Sequence, residues 1–222
     1  LRPNGIIIAI DGPTASGKST TAREAAKRLS YVHINTGAMY RAFALYTAQW
    51  GVDISSDERI PELAEKAYID FDEQGNILLE GKDVTKEIQA PEIAQFASEL
   101  ATLPVVRQKM VAMQQEIGKN GGVILDGRDI GTVVFPDAEL KIFLIANAQT
   151  RAERRKRELD AAGKHISLEK LTKEIEERDR RDSERELSPL KRAADAIELD
   201  TSGMTIDEQV ENVVRLAIRS RS

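Results

Sequence analysis

Residues Gly12-Pro13-Thr14-Ala15-Ser16-Gly17-Lys18-Ser19, followed by Thr20, have the spacing G-x-x-x-x-G-K-S. That spacing suits one chemistry, the cradling of a polyphosphate. Glycines let backbone N–H groups close around phosphate oxygens, and a following helix adds the partial positive charge of its N-terminus. Lys18 is placed to reach the outer phosphates, and the Ser19 hydroxyl to bind a magnesium ion. The flanks support the reading. An apolar run, Ile6–Ile10, precedes the loop, and Ala22, Ala25, Ala26 and Leu29 recur at helical spacing after it.

Two further polar loops follow apolar runs. Asn35-Thr36-Gly37-Ala38-Met39-Tyr40-Arg41 comes after Tyr31–Ile34, and Asp126-Gly127-Arg128-Asp129-Ile130-Gly131-Thr132 after Val123–Leu125. Arginine is also concentrated, with nine of 19 between Arg151 and Arg192. Interleaved acidic residues make a solvated helix face with i,i+4 pairs one reading of this stretch. Neutralisation of a transferring phosphoryl group is the other.

These groups need a scaffold. Five apolar segments read as buried strands: Ile6–Ile10, Tyr31–Ile34, Val123–Leu125, Lys141–Ala146 and Ile197–Leu199. Val106, Met110, Met113 and Ile117 mark one helical stripe. Thr205 with Glu208 forms a capping box for a last helix carrying Ile206, Val210, Val213, Val214 and Ala217. Strands alternating with helices imply an α/β fold around a five-stranded parallel sheet, with ligands at the strands' carboxyl ends. Tyr68–Phe71, Ile77–Glu80 and Gly81–Val84 break the rhythm and predict a small antiparallel β insert near 68–84.

The 222 residues, 41% hydrophobic, suffice for one core with a small appended lobe or for two small domains. A net charge of −5 argues against a general nucleic-acid binder. With no cysteine there is no disulfide and no thiolate metal site, which suits a reducing cytoplasm. No apolar run approaches the ~20 residues that span a bilayer, and the first residues lack the apolar stretch of a signal peptide. A cytoplasmic monomer without nucleic-acid or membrane partners is expected.

The segments IDGPTASGKST, TGAMYR, ILLEGKDVTKEI, LDGRDIGTVVFPDAELKIFL, ERDRRDSER and SPL, with the spacing of Ser98 to Arg107, closely resemble the bacterial cytidylate kinases, a family of nucleoside monophosphate kinases. The resemblance runs from Ile6 to the last helix. It implies a P-loop core of 1–35, 104–150 and 190–222, an acceptor lobe of 36–103 and an arginine-rich lid of 151–189. It implies transfer of phosphate from ATP, with Mg2+, to CMP or dCMP. Gly12 to Thr20 would hold ATP, and Arg41, Arg128 and Arg185 the acceptor phosphate. Ser98, Arg107 and Asp129 would recognise cytosine, with Thr36 and Tyr40 nearby, and Arg178 and Asp182 would contact the ribose. Lys18, Arg128 and Arg185 would be the catalytic groups. Asp126 takes the acidic position after the third strand, where a carboxylate holds magnesium through water. The chain departs from the pattern at Asn35, where the family usually has aspartate, and at Gln89, where arginine is common. The first is expected to weaken the organisation of magnesium or of the neighbouring arginine, and the second to remove one acceptor-site contact, which places more weight on Arg41, Arg128 and Arg185.

The residue types fit the chemistry. Cytosine offers an amine donor at position 4 and acceptors at N3 and O2, so a carboxylate and an arginine can read it. Uracil reverses positions 3 and 4 and would face the carboxylate with an oxygen. A phosphate acceptor is already anionic, which leaves alignment and charge neutralisation as the work of the site. A kinase for another acceptor such as UMP is the nearest alternative. A GTPase-type switch would want an Asn/Thr-Lys-x-Asp motif, and the chain has none.

Overall fold

The computed structural model describes residues 2–54, 57–72, 74–161 and 163–220. They fall into two units, one of 1–33 with 120–222 and the other of 34–119.

The first unit is built on the apolar runs. β1 (Ile7–Asp11) is buried along its whole length, as a central parallel strand must be. It pairs in parallel with β6 (Val123–Gly127) and with β7 (Leu140–Ile145), and β7 pairs in parallel with β8 (Ile197–Asp200). With β2 (Val32–Asn35) the five-stranded order is β2-β6-β1-β7-β8. The expected five-stranded sheet is therefore present, each strand within a few residues of its apolar run. Helix α1 (Lys18–Leu29) and the last helix, α8 (Ile206–Ser220), pack together and bury Ala22, Ala25, Val210, Val213 and Ala217 against Ile8, Ile10 and Ile142. Thr205 and Glu208 form the expected capping box. The Thr205 N–H donates to Glu208 Oε2 at 2.8 Å, and the Glu208 N–H to Thr205 Oγ1 at 3.3 Å.

Helices α6 (Ala148–Ala161) and α7 (Leu168–Glu184) cover the arginine-rich stretch. They share a small core of Ala152, Leu159, Leu171 and Ile175, against which Ala15 of the glycine-rich loop packs. The segment read as a lid thus belongs to the same unit as that loop.

The second unit holds α2 (Thr36–Gln49), α3 (Ile60–Lys66), α4 (Pro91–Leu100) and α5 (Pro104–Gly118). Its small sheet, β3 (Ile69–Phe71), β4 (Ile77–Leu79) and β5 (Lys82–Asp83), is antiparallel, as the turns at 74–76 and 81–82 predict. The unit's bounds differ from the 36–103 expected. Helix α5, expected with the core, packs on α3, so its apolar stripe serves this unit.

Thr205→Ala removes one half of the capping box. It should cost about 0.5–2 kcal/mol of stability, read as a lower urea midpoint with an unchanged slope.

Candidate active site

The loop between β1 and α1 takes backbone shapes that its glycines permit. Gly17 caps α1 in the left-handed region, at φ 92°, with no side-chain hydrogen bond to the helix and no acidic residue in the first turn. A Cβ on Gly12 would lie 2.2 Å from the Leu144 carbonyl oxygen, so only glycine fits against β7 there. The α1 N-terminus therefore keeps its N–H groups for an anion. Among the described residues, none is hydrogen-bonded to the buried Ser16 hydroxyl. These are the features of a cradle built for phosphate oxygens.

Lys18 is buried, and its ammonium donates to the Pro13 carbonyl at 2.9 Å. Burial, and then the positive charge of Arg128, push its pKa well below the usual lysine range, and Arg178 adds to the effect. Three cations thus share a poorly solvated space, and a polyphosphate there would offset the cost of their desolvation and their mutual repulsion.

Asp126, near the end of β6, is buried. Its Oδ2 accepts from the Ser19 hydroxyl at 2.5 Å, and its Oδ1 lies 2.7 Å from His33 Nε2. Burial works to raise the Asp126 pKa, but the His33 hydrogen bond and charge, with Lys18 and Ser19, outweigh it and hold the carboxyl below its ordinary value. An ionised carboxylate only accepts, so His33 Nε2 carries the proton. Ser19 and Asp126 are hard oxygen donors. Such donors suit magnesium, which takes one or two protein ligands and fills its shell with water and substrate phosphate.

After Gly127 the chain leaves the strand and makes one turn of π-helix, Ile130–Val134. Asp11, buried at the end of β1, accepts the Ile130 and Gly131 N–H groups, each at 2.8 Å, and so fixes this turn. Arg128 reaches Asp182 Oδ2 with Nε at 2.7 Å and the Thr14 hydroxyl with Nη2 at 2.9 Å. Asp129 faces Arg185, its Oδ1 lying 3.7 Å from Nη2. Arg185 also donates to the Ser188 carbonyl at 2.6 Å. Burial raises the Asp182 pKa, but Arg128, then Arg178 and Arg185, more than reverse this and keep the carboxyl ionised.

In the second unit, Thr36 is buried at the start of α2 and Ser98 is half-buried on α4. The Arg107 guanidinium of α5 lies over the Tyr40 ring at 5.8 Å from its centroid, a cation–π distance. The Asn35 side chain accepts from the Ala38 N–H at 2.9 Å and caps α2, a role asparagine fills as well as aspartate. A Cβ on Gly37 would come within 3.3 Å of both Arg41 Nη1 and Asn35 Oδ1, so glycine lets the two converge. Gln89 is exposed and donates to the Thr85 carbonyl at 3.3 Å.

The arginine-rich stretch splits in two. Arg151 and Arg154 are anchors: Arg151 donates to the Ala146 and Thr14 carbonyls at 2.9 and 3.0 Å, and Arg154 to the Ser16 carbonyl at 3.1 Å. Arg155 makes an exposed pair with Glu158 three residues on. Sequence reading passed over Asp11, His33 and Asp179. Asp11 carries a signal, a single carboxylate ending an apolar strand. Asp179 carries none, since it is one of several acidic residues in ERDRRDSER.

The cytidylate kinase family model matches residues 8–219. The chain belongs to the cytidylate kinase family. Among curated members, cytidylate kinase of Limosilactobacillus reuteri (strain DSM 20016) is 46% identical over 216 residues, covering 96% of this chain and 95% of the relative. Cytidylate kinase of Bacillus anthracis (strain CDC 684 / NRRL 3495) is 47% identical over 216 residues, with 96% of each covered. The family fold is shared more widely. Shikimate kinase from Acinetobacter baumannii, solved with shikimate, has a TM-score of 0.50 at 14% identity and covers 99% of this chain and 96% of its own. At that identity the likeness is one of fold alone.

Burial is the largest influence on Asp11 and lifts its pKa from 3.8 to about 6, against the two N–H groups that favour the anion. A folded value above the unfolded one means that the protonated form favours the fold. This contribution is full below about pH 4 and is lost as pH rises through 6. Across that window it amounts to ~3 kcal/mol, two units at 1.36 kcal/mol each. Asp11→Asn should remove it, so the stability difference between wild type and variant should change by that order between pH 3.5 and 7 in urea titrations. A constant difference would show that Asp11 does not titrate in this window.

Proposed function

We propose that the protein transfers the γ-phosphoryl group of ATP to CMP or dCMP, giving ADP and CDP or dCDP. The observation that supports this most is Lys18, desolvated beside Arg128 in the phosphate loop of a chain matched by the cytidylate kinase family from 8 to 219. An oxygen of the acceptor phosphate forms the new P–O bond, and the bond from the γ-phosphorus to the bridging oxygen breaks, leaving ADP. The attacking oxygen is already anionic, so no side chain has to remove a proton.

The loop from Gly12 to Thr20 holds ATP in this reading, with Lys18 on the outer phosphates. Ser19 and, through water, Asp126 would hold magnesium, which supplies charge neutralisation at the phosphate oxygens. Arg41, Arg128 and Arg185 bind the acceptor phosphate and align it. Arg128 and Arg185 also offset charge as the phosphoryl group moves. Asp182 orients Arg128 through the 2.7 Å bond to its Nε, in addition to the ribose role it is proposed to share with Arg178. Asp129 accepts from the cytosine 4-amine, and Ser98 and Arg107 serve its acceptor edge, with Thr36 and Tyr40 beside them. Helices α6 and α7, in the proposed lid, exclude water, which would otherwise take the phosphoryl group. A monomer in the cytoplasm is proposed. No helix among the described residues is long and apolar enough to cross a membrane.

ADP formation from ATP, measured with each common nucleoside monophosphate in turn, tests the reading. CMP and dCMP should be used far better than UMP, AMP or GMP, and equal rates with AMP and CMP would remove it.

Asp129→Ala addresses the base. CMP loses a charge-assisted hydrogen bond worth roughly 1.5–3 kcal/mol, about ten- to more than a hundredfold in kcat/KM. UMP loses a repulsive neighbour and should suffer less. Because Asp129 also faces Arg185, overall activity will fall for both. The deciding quantity is the ratio of CMP to UMP, which should drop. An unchanged ratio rejects Asp129 as the reader of cytosine.

A further inference from the structure

Thr14 occupies a position that the phosphate-loop pattern leaves unspecified, yet all three of its polar groups are engaged at long range. Its N–H donates to Asp179 Oδ1 at 3.0 Å. Its carbonyl accepts from Arg151 Nη1 at 3.0 Å. Its hydroxyl accepts from Arg128 Nη2 at 2.9 Å. Arg151 and Asp179 are ion-paired with each other. They therefore grip the two peptide groups that flank Thr14 from α6 and α7 together. Asp182, one helical turn after Asp179, holds the other side of Arg128 at 2.7 Å. Ala15, the next residue, packs on the apolar core of the same two helices.

The result is a closed circuit: loop to α7 through Asp179, α7 to Arg128 through Asp182, Arg128 back to the loop through the Thr14 hydroxyl. Its ionic members are largely shielded from water, which strengthens each bond and the cost of misplacing it.

We propose that Thr14 is a positioning residue that couples the two substrate sites, its hydroxyl setting Arg128 for the acceptor phosphate when ATP fills the loop. The inference rests on the ATP and CMP reading above. ATP phosphates draw in the loop N–H groups and fix the backbone on both sides of Thr14. The hydroxyl then aims Arg128, and the acceptor phosphate meets a guanidinium already placed. Linkage makes the effect reciprocal, so CMP must tighten ATP by the same factor.

The test is calorimetric titration of CMP with and without the β,γ-imido analogue of ATP and Mg2+. Wild type should bind CMP about tenfold tighter with the analogue, within the usual range of such couplings. Thr14→Val keeps the branched shape and deletes the hydroxyl, and should bring the ratio to within about twofold of one. Thr14→Ser restores the hydroxyl and should restore the ratio. A merely structural Thr14 would lower both affinities and leave their ratio intact. If the valine variant does not fold, Thr14→Ala carries the same expectation without added bulk. The proposal is overturned if wild type binds both ligands with a ratio of one, if Val or Ala keeps the wild-type ratio, or if Ser loses it. A wild-type protein that takes up the analogue but no CMP overturns the functional reading, and this proposal with it.

Discussion

The constraint on which the rest of the first unit depends is the burial of positive charge beside the phosphate loop. Lys18 is desolvated and pushed toward neutrality by Arg128 and Arg178. Such a cluster survives in a fold only with counter-charges at short range. Asp126, Asp179 and Asp182 supply them, each from a different position: the end of β6 and two points along α7. The carboxylates hold the cations in place around the loop, where the Lys18 ammonium donates to the Pro13 carbonyl. Positioning and electrostatics are the same set of contacts.

The sequence made the scaffold readable because its signals are local. Buried strands show as apolar runs, the loop shows as glycine spacing, and the capping box of α8 shows as Thr205 with Glu208. The β insert was legible from its turns. What stayed hidden depends on partners far along the chain. Asp11 meets a turn 119 residues away, and Asp179 meets Thr14 across 165 residues. Nothing within nine residues of ERDRRDSER distinguishes Asp179, which grips the loop, from its exposed acidic neighbours. The arginines show the same limit. Arg151 and Arg154 are anchors and Arg155 makes a surface pair, although all three sit on one helix with similar neighbours. Which face of α6 meets the loop is a tertiary fact.

The shared fold with shikimate kinase clarifies which parts are general. A shared fold does not by itself choose what is bound. Under the proposed function, that choice falls to side chains outside the common frame: Thr36, Arg41, Ser98 and Arg107 of the second unit, and the DGRDIGT turn of the first. The departure at position 35 is mild in this light. Asn35 retains the helix-capping role, and what it gives up is a charge beside Arg41 rather than the geometry of α2.

That DGRDIGT turn carries the hardest local demand. Asp126, Arg128 and Asp129 lie within four residues and face Ser19 with His33, Thr14 with Asp182, and Arg185 respectively. A continuing strand would alternate them between two faces and bring Asp126 and Arg128 to the same side. The backbone instead turns after Gly127 into a single π-helical turn, an uncommon shape that needs support. Asp11 gives it, by accepting two adjacent N–H groups that the turn leaves open. The cost is a buried carboxylate whose ionisation opposes folding near neutral pH. Stability is given up at Asp11 so that three charged side chains can diverge from one short loop.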